Sequence, residues 1–153
     1  MPGAVPRHDP SPPAVLRTGT TADVSGVLAL WVEAGAHPTS TDNAAAVTAL
    51  VERDPDALLI AEIDGRVVGT LIAAWDGWRG NMYRLAVAPD VRRHGIAATL
   101  VGEAERRLRT LGCRRVTALV VDADPRAAEF WTSVGYGPYP MERYVRTLAG
   151  ADA

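Results

Sequence analysis

The amino-acid sequence predicts an α/β fold built on one mixed sheet, and three features carry that reading. Two apolar runs, Leu58 to Ile63 and Arg66 to Trp75, are divided by Asp64-Gly65, the dipeptide of a tight hairpin turn with positive φ at both central positions. Ile96, Leu100, Ala104, Leu108 and Leu111 recur at the spacing of one buried helix face. Val116 to Val121 then gives a β-branched, apolar run of strand length.

The remaining elements follow from local signals. Met1 to Pro13 holds five prolines and almost no large apolar side chain, so residues 1–13 read as a disordered arm ahead of a single domain spanning 14–148. Val15 and Leu16 start a short strand ending near Thr18. Thr21 or Asp23 caps a helix that turns Val24, Val27, Leu28 and Trp31 toward the core. Asp42 to Arg53 is a second helix with Ala46, Val47 and Leu50 inward, closed by the turn Asp54-Pro55-Asp56. After the hairpin, Asp76 to Gly80 leads into a strand from Asn81 to Val87, which stops at Pro89 because proline cannot donate to a ladder. The long helix runs from about Gly95 to Leu111, with Gly112 as its left-handed terminator. Asp124 and Pro125 open a helix reaching Val134, by an N-cap followed by proline at the first position. Glu142 to Leu148 alternates as a closing strand, and 149–153 reads as a flexible tail.

Composition narrows the function classes. A chain of 153 residues, 48% apolar and 22% charged, is that of an ordinary globular domain. A net charge of −2 gives no global field favouring nucleic acid or an anionic membrane. All 16 basic residues are arginine, so the chain has no side-chain amine of its own to modify. Cys113 is the single cysteine, which excludes an internal disulfide framework. No segment has a membrane-span or signal-peptide pattern, and no metal-ligand spacing occurs, so the expectation is a cytoplasmic protein without a metal.

The segment Met82 to Ala97, MYRLAVAPDVRRHGIA, concentrates the chemistry. A strand, a turn containing Arg92, Arg93 and His94, and a glycine at a helix start bring together unpaired backbone N–H groups, a partial positive charge and arginines, an arrangement suited to phosphate. Arg92-x-x-Gly95-x-Ala97 fits the (Q/R)-x-x-G-x-(G/A) signature and resembles the pyrophosphate loop of the GNAT acyltransferases, a family of N-acetyltransferases. The order β-α-α-β-β-β-α-β-α-β is similar to that family's topology over roughly Val15 to Leu148. The resemblance implies a mostly antiparallel sheet splayed between its fourth and fifth strands, with helices on both faces. It implies acetyl-CoA as co-substrate, held by Leu85, Ala86 and Val87 on the splayed strand and by Arg92, Arg93, His94, Gly95, Ile96 and Ala97 in the loop.

Asp124-x-x-Ala127-x-x-Phe130-Trp131, followed by Val134-Gly135-Tyr136, resembles the family's second motif and adds Asp124 and Trp131 to the expected donor site. It departs from the pattern twice. An ionised Asp124 replaces asparagine and has no side-chain hydrogen to donate. Trp131 replaces the tyrosine that often protonates the departing thiolate, and an indole N–H is no general acid. Trp75-Asp76-Gly77-Trp78-Arg79-Gly80 looks like the D-G-x-R-G stretch of a branch of small bacterial GNAT proteins, and Leu30-Trp31-x-x-Ala34-Gly35 is similar to that branch too. These likenesses put Trp31, Asp76 and Trp78 at the acceptor pocket. The family's usual glutamate base falls at about Asn81, which cannot take a proton near neutral pH. Asp76, Glu33 and Tyr83 are the substitutes, alongside a water chain. The resulting expectation is direct transfer of acetyl from acetyl-CoA to a primary amine, on a small molecule or a protein N-terminus, without an acyl-enzyme on Cys113. A competing reading, kept open by Trp131 and Asn81, is a non-catalytic acyl-CoA-binding module or a structural homodimer. Dimerisation is compatible with either.

Overall fold

The computed structural model describes residues 13–120 and 125–148. The arm before residue 13, Val121, the cap at Asp124 and the tail at 149–153 lie outside the described residues. Five strands lie in the order in which the chain makes them: β1 (Val15–Thr18), β2 (Leu58–Ile63), β3 (Arg66–Trp75), β4 (Gly80–Val87) and β5 (Val116–Ala118). The first four pair antiparallel and β5 joins β4 in parallel. Four helices complete the fold: α1 (Val24–Glu33), α2 (Ala44–Arg53), α3 (Ile96–Thr110) and α4 (Pro125–Ser133).

The hairpin turn is as its dipeptide requires, with φ +50° at Asp64 and +78° at Gly65. Asn43 caps α2 by accepting from the Ala46 N–H, so the helix starts at Ala44, two residues later than the expected start at Asp42. Successive residues of β3 show how the sheet is covered. A side chain at Gly69 would run into Ile96 and Leu100 of α3, whereas Thr70, the next residue, meets Trp31 of α1. Alternate residues of a strand face opposite ways, so α1 and α3 lie on opposite faces. Val27, Leu58, Ile60, Val68, Leu71, Leu100 and Leu108 are fully buried between these layers.

Two expectations are corrected. Residues 142–148 form no strand. The alternation is real, but Tyr144, Val145 and Leu148 are 92%, 77% and 77% exposed. With no neighbouring strand to satisfy its backbone and no face to bury, the segment gains nothing from extended pairing. The fifth strand is also shorter than its apolar run. Only Val116, Thr117 and Ala118 pair with β4, opposite Gly80, Asn81 and Met82, and one further bond runs from the Leu119 N–H to the Met82 carbonyl. Beyond Met82 the pairing ends, and β4 continues to Val87 without a strand paired on that side among the described residues. This divergence is the splay expected between the fourth and fifth strands.

Candidate functional site

The site is built on β4, where the ladder with β3 breaks. Thr70 pairs with Ala86 and Ile72 pairs with Tyr83, so Leu71 faces both Arg84 and Leu85. This is a bulge with its extra residue on β4. Arg84 carries it at φ +54°, a conformation rarely adopted outside glycine. The bulge lies past the last β4–β5 pair, so one side of Leu85, Ala86 and Val87 has no paired strand among the described residues.

Several contacts hold Arg84 in this conformation. The Thr70 hydroxyl donates to its carbonyl at 3.0 Å and accepts from the Trp31 indole N–H at 2.9 Å. The Arg84 guanidinium forms a close ion pair with Asp42 and donates to the His37 carbonyl at 2.7 Å. Both partners of the ion pair are largely buried, so the connection between α1 and α2 is drawn onto the bulge. Sequence reasoning missed Thr70, Arg84 and Asp42. One signal was available, since Thr70 is the lone polar residue within the apolar run Val67 to Trp75.

About ten residues after the bulge, the chain turns into α3. Pro89–Val91 forms one 3-10 turn, Arg93 has φ +68° and Gly95 has φ +77° as the N-cap. No side chain caps α3, so its first N–H groups and dipole face outward from the turn. Arg92, Arg93, His94 and Gly95 are exposed. The Arg92 guanidinium donates to the carbonyls of Val87 and Ala34, each at 3.2 Å, tying the turn to the end of β4 and the end of α1. Ile96 is 6% exposed and its side chain belongs to the core, so only its backbone is available at the turn. The turn thus presents an uncapped helix start beside exposed arginines, with two backbone positions in the left-handed region.

The expected acceptor residues are not brought together. Trp31 is 4% exposed, and its one polar atom is spent on Thr70. Its side chain is a core element beneath the bulge, because an indole this large gains more from burial than from lining a wet pocket. Asp76 and Trp78 sit in the β3–β4 turn, at the other end of β4 from Val87, about 23 Å away at normal strand rise. Trp78 is 71% exposed beneath the Arg79 guanidinium. Trp75, Trp78, Arg79, Arg114 and Arg115 border an open concavity of about 430 Å³ there.

The candidate bases are weak for identifiable reasons. Asp76 Oδ1 accepts from the Arg79 and Trp78 backbone N–H groups, both at 2.8 Å, and these bonds hold its carboxyl below the usual carboxylate range. It shapes the turn, and its conjugate acid is too strong to collect a proton near neutral pH. Glu33 is engaged with Arg66 at 3.2 Å on the surface. Asn81 lies between β3 and β5, opposite Ala74 and Thr117. Tyr83 is 38% exposed, directly before the bulge. Trp131 is 8% exposed, its ring edge-on to Phe130 and Tyr136 at 5.3 and 4.9 Å. The Tyr136 hydroxyl contacts Glu105, and burial pushes its phenol well above the usual range. Cys113 lies beside Gly80, and its thiol donates to the Arg115 carbonyl at 3.2 Å. Five strand residues, or about 16 Å, separate that level of β4 from Leu85.

Among the described residues no group of side chains is placed to hold a metal ion, and no helix is long and apolar enough to cross a membrane. The chain is similar to known proteins in sequence and in fold. The family described as "Acetyltransferase (GNAT) family" matches residues 26–136. An acetyltransferase of Photorhabdus laumondii subsp. laumondii is 35% identical over 98 residues, covering 64% of this chain and 68% of its own. One of Pectobacterium atrosepticum is 34% identical over 98 residues, covering 64% and 70%. In structure, the chain is similar to the PaiA N-acetyltransferase of Thermoplasma acidophilum in complex with coenzyme A, at TM-score 0.73 and 14% identity over 84% of this chain and 92% of that one. Ard1 of Thermoplasma volcanium gives TM-score 0.72 and 18% identity over 80% and 81%.

Proposed function

We propose that this chain, which belongs to the GNAT acetyltransferase family, moves an acetyl group from acetyl-CoA to a primary amine by direct attack of the amine on the thioester carbonyl. One observation carries the reading. A bulged strand with one side open is followed at once by an uncapped helix N-terminus with glycine at φ +77°. The distance along the chain suits a donor whose pyrophosphate meets the α3 N–H groups and whose thioester reaches the bulge. Fixed backbone N–H groups at the bulge would stabilise the oxyanion as the carbonyl carbon becomes tetrahedral. The nitrogen–carbon bond then forms, the attacking nitrogen gives up its second proton to water, the carbon–sulfur bond breaks, and CoA leaves as a thiolate that water can protonate. The crowding of two substrates supplies much of the remaining acceleration.

Proton transfers in this reading run through solvent. The ammonium loses its proton to water before attack, since Asn81 is no base and backbone N–H bonds hold the Asp76 carboxyl below the usual carboxylate range. Trp131, enclosed by Phe130 and Tyr136, does not protonate the thiolate. The acceptor is a small amine or a protein N-terminus, entering from the side of β4 that β5 leaves. Thiol release from acetyl-CoA across amines, amino acids, aminoglycosides and short peptides tests the proposal. Turnover with at least one amine class is expected, and tight acetyl-CoA binding without turnover on any of them would sink it in favour of a binding module.

A further inference from the structure

We infer that Thr70 and Trp31 are positioning residues for acetyl transfer, setting the direction of the Leu85 N–H through the Arg84 carbonyl; the inference rests on the acetyl-donor reading above. Thr70 is fully buried and is the one polar or charged residue in the buried set of the described residues. It touches no solvent and contributes no charge, yet it interrupts an apolar strand. Its hydrogen bonds explain why.

An indole N–H can only donate, so the Trp31 contact takes a lone pair of the Thr70 hydroxyl and leaves its proton for another partner. That partner is the Arg84 carbonyl at 3.0 Å. The relay therefore has a fixed sense, from Trp31 through Thr70 to Arg84, and each bond polarises the next. The Arg84 carbonyl and the Leu85 N–H share one planar trans peptide and point opposite ways. A carbonyl drawn toward β3 turns the Leu85 N–H away from β3, to the side of β4 from which β5 has parted after Met82. That side is where the acetyl carbonyl is placed in the reading above. The left-handed φ of Arg84 is costly and persists only under contacts that over-determine it. Thr70 grips the carbonyl from within, and Asp42 and His37 grip the guanidinium from the α1–α2 connection.

The experiment reads the thioester carbonyl stretch of bound acetyl-CoA, isotope-labelled at the acetyl carbonyl, by infrared spectroscopy. A carbonyl polarised by a fixed N–H is red-shifted relative to free acetyl-CoA. The parent protein and Thr70→Ser, which keeps both hydrogen bonds, are expected to show the red shift. Thr70→Val is expected to bind acetyl-CoA and lose most of it. Thiol release with any accepted amine should fall about a hundredfold, the cost of roughly 1 Å of misplacement. Val27→Ala, in the core of α1 and remote in role, destabilises without touching the relay and should keep the shift. If Thr70→Val does not fold, Trp31→Phe is read in its place, since it frees the hydroxyl to rotate. An undiminished red shift in Thr70→Val, or in Trp31→Phe where that variant is read, overturns the positioning role. Absence of acetyl-CoA binding or of any red shift in the parent overturns the donor reading, and this inference with it.

Discussion

Replacing Gly95 separates the torsional demand of the loop from its proposed contact with phosphate. Gly95 caps α3 at φ +77° and ψ 9°, and a Cβ built there meets no atom within 4 Å. Steric cost inside the protein is therefore nil, and the penalty of Gly95→Ala in the unliganded state is the left-handed conformation itself, about 1 kcal/mol. For a chain of this length that lowers Tm by about 2–4 °C. Gly95→Asn should cost less, because asparagine tolerates this region. The open space beside the Cβ is where the reading above places the pyrophosphate, so both side chains would displace the ligand. At a hundredfold excess over Kd, acetyl-CoA should add about 2.7 kcal/mol to the parent's stability. A tenfold weakening removes about 1.4 kcal/mol of that. Thermal unfolding with and without acetyl-CoA measures both effects. The expected pattern is an unliganded Gly95→Asn close to the parent in Tm, with about half of the acetyl-CoA shift gone. A full shift in both variants would show that the ligand does not approach Gly95, and the phosphate-loop assignment would fall.

Two predictions concern the scaffold. The Arg17 guanidinium beside Asp23 holds its carboxyl down at about 2, below its ordinary value of 3.8. A depressed acid contributes stability that is fully present above the unfolded value and is lost as pH falls through the folded one. Between pH 3.8 and 2, denaturant unfolding of the parent should lose up to about 1.4 kcal/mol per pH unit more than Asp23→Asn does; equal acid slopes would contradict the pairing. Gly69→Ala places a methyl 3.0 Å from Ile96 Cγ2, 3.1 Å from Leu100 Cδ1 and 3.2 Å from Ala61 Cβ. Overpacking of about 1–3 kcal/mol is expected. Because Ile96 opens α3, acetyl-CoA protection should weaken as well. A variant as stable as the parent would mean that α3 and the sheet are less closely apposed.

Local backbone chemistry was legible from the residues alone. Asp64-Gly65, Gly95 and Gly112 each mark a left-handed position, and such a requirement is satisfied or violated within a residue or two of chain. The periodicity of α3 announced its buried face for the same reason. The turn before α3 and the start of that helix were therefore readable from the residues. Residues 142–148 mislead because alternation describes a strand's two faces and says nothing of whether a neighbour exists to pair with it. Trp31 misleads because a large aromatic is as well suited to a core as to a pocket.

The sequence by itself determined the four helices, the first four strands, the hairpin and the turn before α3, because each is encoded by adjacent residues. The bulge was decided only in three dimensions. It depends on one strand carrying a residue more than its partner between two matched pairs, and no single strand contains that information. Arg84 has no intrinsic reason to adopt a positive φ. It does so because Thr70 lies 14 residues earlier and Asp42 lies 42 residues earlier, and only the folded chain sets both against it.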